Sequence, residues 1–116
     1  MTRSSSLGRI LVDAKGHTLY LFEKDIRNRS SCSGQCAGFW PPLLTSGEPI
    51  ATSSVKSSLP GTTRRANGSM QVTYAGHPLY RFALDAKAGQ TNGEGLKKFG
   101  AEWYVLASSG KKIDKD

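Results

Sequence analysis

The sequence predicts an all-β fold, two related antiparallel β units from an internal duplication, packed as a compact sandwich or barrel-like domain. Three observations carry this expectation. Gly16, His17, Leu19, Tyr20, Phe22 and Asp25 recur as Gly76, His77, Leu79, Tyr80, Phe82 and Asp85, at a constant offset of 60 residues. Side-chain character around each copy alternates with period two, as in a strand rather than a helix. Every aromatic residue lies within 10–44 or 70–106, so apolar mass follows the two copies.

Arg9 to Asp13 reads as a first strand and Ala14-Lys15-Gly16 as a turn, with residues 17–23 returning as a second strand. Leu19 and Leu21 share one face, Tyr20 and Phe22 the other. In the second copy Arg81 replaces Leu21, so the Leu face is expected outside and the Tyr/Phe face inside. Thr62 to Arg65 and Ser69 to Tyr74 flank Ala66-Asn67-Gly68, a strong hairpin signal. Gln71 to Tyr74 then leads through Ala75-Gly76 into the second motif. Trp40-Pro41-Pro42-Leu43 closes the first copy and Trp103-Tyr104-Val105-Leu106 the second, now offset by 63. The chain is expected to be a single domain over 1–116. Its repeats span 9–44 and 62–107, with a surface linker at 45–61 and a disordered tail at 110–116. Two segments resist assignment: Ile26 to Gly38, polar and expected to loop around the cysteines, and Ala86 to Lys98, rich in Gly and containing Asn92-Gly93. Strand exchange between the units remains open, so the expected state is a monomer or a strand-swapped dimer.

Composition narrows the function classes. No run of about 18 apolar residues occurs, so no transmembrane helix is expected. Residues 1–8 carry no apolar h-region, and no signal peptide is expected in this chain. The net charge is +7, but Lys and Arg are dispersed and form no nucleic-acid-binding block. The expected surface is basic and solvated, suited at most to an anionic polymer or a peripheral membrane contact. Cys32 and Cys36 are separated by three intervening residues, one of them a glycine. A redox pair needs two intervening residues and a zinc site more ligands, which favours a structural disulfide and an oxidising compartment. Two reduced thiols in a cytosolic protein are the alternative.

The string Tyr-x-Phe-x-x-Asp, at Tyr20/Phe22/Asp25 and Tyr80/Phe82/Asp85, resembles the signature of the bacterial "secreted repeat of unknown function" family. Its members are described as predicted lipoproteins with a Yx(FWY)xxD motif. Ser31 to Ala37 with Trp40 to Leu43 is similar to the family's first copy. Gln71 to Tyr80, Gly89 to Gly95 and Trp103 are similar to its second. The resemblance implies export, often as a lipoprotein on the outer face of a bacterial membrane, and implies no established activity or ligand. No lipobox cysteine precedes the first repeat in this chain.

The candidate binding residues are Tyr20, Phe22, Asp25, Trp40, Tyr80, Phe82, Asp85 and Trp103. Alternating aromatics more often build a β core than a cleft, and an Asp at a strand end more often caps a turn than performs acid–base chemistry. Each buried Tyr hydroxyl needs a partner, which an Asp would supply. His17 and His77, brought together by pseudo-symmetry, would be the ligands of a metal or haem; no resident cofactor is otherwise expected. No catalytic constellation is recognisable. The expected function is therefore a non-enzymatic, extracytoplasmic binding module of the bacterial envelope. Its partner would be an envelope protein, an anionic polymer or a small ligand. The alternatives are metal or haem binding through His17/His77, or a hydrolase using Asp25 and Asp85.

Overall fold

The computed structural model describes residues 2–5, 8–13, 16–26, 29–45, 60–65, 67–87, 90–107 and 109–113. Along them run β1 (Thr2–Ser5), β2 (Gly8–Leu11), β3 (Tyr20–Phe22), α1 (Gln35–Phe39), β4 (Leu44–Thr45), β5 (Pro60–Arg64), β6 (Met70–Tyr74), β7 (His77–Pro78), β8 (Lys97–Lys98), β9 (Ala101–Leu106) and β10 (Lys112–Ile113). Among the described residues the architecture is all-β: two four-stranded antiparallel sheets and the antiparallel β1–β2 pair, with no closed barrel.

The predicted hairpins form. In the first, the Asp13 N–H donates to the His17 carbonyl and Val12 bridges Thr18. In the second, β6 turns into β7 through Ala75 (φ 53°) and Gly76 (φ 83°). Two successive left-handed residues match the right-handed twist of the flanking strands, and glycine adopts that region without a Cβ clash. The Asn67-Gly68 turn joins β5 to β6.

The sheets cross the repeat boundary. β3 of the first repeat pairs with β9 of the second, Phe22 opposite Trp103. β4 at the end of the first repeat pairs with β6 of the second, and the Leu43 N–H donates to the Leu79 carbonyl. Tyr20 and Tyr80 exchange both backbone hydrogen bonds, at 2.8 and 3.0 Å. Each hairpin is thus completed by the other repeat's closing segment. The local twofold passes between Tyr20 and Tyr80, and the strand exchange left open by the sequence occurs within one chain.

Tyr20, Phe22, Trp40, Tyr80, Phe82 and Trp103 form one core with Ile10, Val12, Val105 and the two cysteines. The Leu face is a correction. Leu19 and Leu21 are 3% and 1% exposed, not outside as expected. They pack with Leu11, Tyr74, Leu79, Tyr104 and Leu106 into a second core. Both faces of the strand layer are covered, so the alternation separates two cores instead of core from water. Arg81, the residue that suggested an outer face, is only half-buried, but its neighbour Leu79 is fully enclosed.

Two boundaries also move. The ends of the expected linker are strands β4 and β5, while residues 46–59 lie outside the described residues. Lys112 and Ile113, expected in the disordered tail, pair with Leu106 and Val105; residues 114–116 lie outside the described residues. The short helix α1 falls in the segment expected to be a loop. It is tied by the Cys32–Cys36 disulfide, with the two Cα atoms 5.3 Å apart.

Leu21→Ala is therefore expected to lower the unfolding free energy by about 2–5 kcal/mol, the range for a buried leucine. Urea denaturation measures it, and a change below about 0.5 kcal/mol, typical of surface positions, would restore the exposed-face reading.

Candidate functional site

The exchange of closing segments brings Trp40 and Trp103 to the centre of the molecule. Their indoles stack at 3.9 Å with an interplanar angle of 3°. Phe22 stacks on Trp103 at 4.0 Å and Phe82 on Trp40 at 4.1 Å. The column Phe22–Trp103–Trp40–Phe82 therefore alternates between repeats, and each of its three contacts joins one repeat to the other. Such pairs contribute roughly 0.5–1.5 kcal/mol each beyond the area they bury. Tyr20 meets the Trp40 ring edge-on at 5.3 Å, and Tyr80 meets Trp103 at 5.1 Å.

The tyrosine hydroxyls repeat the crossing. The Tyr20 hydroxyl donates to Asp85 Oδ2 at 2.6 Å, and the Tyr80 hydroxyl donates to Asp25 Oδ2 at 2.7 Å. Each aspartate is also fastened in its own loop. Asp25 Oδ1 accepts from the Ser31 N–H and hydroxyl, and Asp85 Oδ1 accepts from the Asn92 N–H. The repeated motif is a reciprocal clasp, in which the Tyr of each copy binds the Asp of the other.

Sequence reasoning missed the groups that complete the clasp. The Gly93 N–H donates to the Tyr20 oxygen at 3.1 Å. A Cβ at Gly93 would lie 2.7 Å from Trp40 Cη2, so only glycine brings its backbone this close to the rings. Ser30, which aligns with Gly93 at the offset of 63, supplies a hydroxyl 2.6 Å from the Tyr80 oxygen. That alignment was the available signal. Arg65 donates to Ser30 Oγ, Gln71 Oε1 and the Cys32 carbonyl, and buried Gln71 donates to the Leu79 carbonyl. The first-repeat aspartate thus sits near a cation, while the pocket around Asp85 contains backbone N–H donors and the more distant His17.

The histidines are not joined. His17 Nδ1 lies 3.7 Å from Asp13 Oδ2 within its own hairpin, and His77 pairs with Tyr74 in β7. The antiparallel Tyr20–Tyr80 register runs residue 17 toward residue 83 and residue 77 toward residue 23. Among the described residues, no group of three His, Cys, Asp or Glu side chains could hold a metal ion.

Burial is the first cause that pushes both phenols well above their usual range, so both tyrosines stay protonated donors. Burial also raises the Asp25 and Asp85 carboxyls, against the lowering effect of the hydrogen bonds from Tyr80 and Tyr20. The folded protein therefore binds protons at these two sites more tightly than the unfolded chain, whose aspartates titrate near pH ~3.9. Their contribution to stability is largest below that value and is lost as pH rises through the raised folded values. Relative to Asp25→Asn/Asp85→Asn, the wild type should gain unfolding free energy as pH falls from neutral toward about 4. Chemical denaturation across that range measures it; a pH-independent difference, or the opposite slope, contradicts the assignment.

The model of the family "secreted repeat of unknown function" matches residues 1–44 and 61–107. No curated protein and no solved structure matches the chain. The two matched segments are the two halves of the clasp, and the chain belongs to the family of secreted repeats of unknown function.

Proposed function

We propose that this chain is a non-enzymatic binding module of the bacterial envelope, acting outside the cytoplasm. One observation supports the reading above the others: the motif residues are spent on joining the repeats. Tyr20, Phe22, Trp40, Tyr80, Phe82 and Trp103 are at most 6% exposed, and both motif aspartates are hydrogen-bonded to the opposite tyrosine. The repeated residues are therefore scaffold, and recognition falls to surfaces where the copies differ. Membership of a secreted family and the Cys32–Cys36 disulfide agree with an oxidising compartment.

The immobilised protein is expected to retain a specific envelope component saturably, with free protein competing it off. Washing bacterial envelope extracts over the protein, with a heat-unfolded control, tests this. Equal retention by the unfolded control, or no saturable retention, would remove the reading.

A further inference from the structure

The β8–β9 hairpin turns through Phe99 (φ 58°) and Gly100 (φ 97°), with Lys98 opposite Ala101. This two-residue turn favours Asn or Asp before Gly, because a Cβ is strained in the left-handed region. A bulky aromatic there runs against local preference, and such outliers cluster at functional sites. Phe99 is 38% exposed, and its ring lies 6.1 Å from that of Phe39, a residue 52% exposed at the end of α1. The Phe39 carbonyl accepts from the Ala83 N–H, which ties this end of the helix to the backbone of the second repeat. Two segments distant in sequence, the end of α1 and the β8–β9 turn, therefore present aromatic side chains together.

Cations flank these residues. Lys97 and Lys98 are exposed on the same hairpin, and the Lys24 ammonium sits beside Gly100, 3.7 Å from where a Cβ would be. Glu102, opposite Lys97, is the acidic residue of that hairpin. The tip is anchored from below, since Trp103 Nε1 donates to the Lys98 carbonyl. Aromatic rings amid lysines at a hairpin tip match the chemistry of a bilayer interface, where rings enter the headgroup layer and cations meet lipid phosphates.

We propose that Phe39 and Phe99, with Lys24, Lys97 and Lys98, form a docking surface for an anionic lipid bilayer. The proposal rests on the binding-module reading and names its partner. The overall charge of +7 favours the same partner.

Co-sedimentation of the full chain with phosphatidylglycerol vesicles, and with phosphatidylcholine vesicles as control, tests it. Wild type should bind the anionic vesicles selectively, and added salt should weaken binding. Phe99→Asn keeps every charge and suits the turn, so its Tm should rise by about 4 °C. Its partitioning should nevertheless fall about tenfold, the effect of removing one inserted ring. Lys97→Gln/Lys98→Gln should weaken binding at least about tenfold. Equal binding by wild type and Phe99→Asn would overturn the proposal, reducing the contact to bulk charge. Wild type that ignores both vesicles but retains an acidic envelope protein overturns lipid docking and leaves the binding-module reading standing. Failure in both assays overturns the two together.

Discussion

The contact between Trp40 and Trp103 is the constraint from which the rest of the structure follows. For two indoles from different repeats to lie parallel at 3.9 Å, each closing segment must leave its own hairpin and run beside the other. That crossing places Phe22 opposite Trp103, sets Tyr20 against Tyr80, and points each tyrosine hydroxyl at the other copy's aspartate. The spacing Tyr-x-Phe-x-x-Asp follows physically. Tyr and Phe, two apart, share the inner face, and Asp, three further on, lies past the strand end where a loop N–H can fix it.

Symmetry is kept in the clasp and relaxed around it. Gly93 closes on Tyr20 with backbone alone, whereas Ser30, Arg65 and Gln71 surround Tyr80 with side chains. The disulfide and α1 belong to the first repeat, and the corresponding part of the second is the β8–β9 hairpin. The exposed Phe39 and Phe99 come from these two divergent pieces. A duplicated scaffold leaves room for such divergence because the shared residues already hold the repeats together.

Much of this was legible in the sequence. Period-two alternation identified the hairpins and the inner Tyr/Phe face, and the Cys spacing indicated the disulfide. The Leu face is buried despite Arg81, because one long side chain can reach solvent from beside buried Leu79 and does not report on a whole face. Helix α1 was invisible because Gly34 and Gly38 weaken helix propensity, and a covalent tie holds the turn instead. The exchange of closing segments could not be read at all. Both copies carry the same pattern, so pairing within a repeat and pairing between repeats satisfy it equally.

The central claim is that neither repeat has a core without the other. Expressing residues 1–45 and 60–116 as separate polypeptides tests it most directly, with near-ultraviolet circular dichroism reporting the packing of the tryptophans. Each fragment alone should lack a near-ultraviolet signal, and mixing them should restore one cooperative unfolding transition. If either fragment folds cooperatively by itself, the clasp is not what holds the structure together.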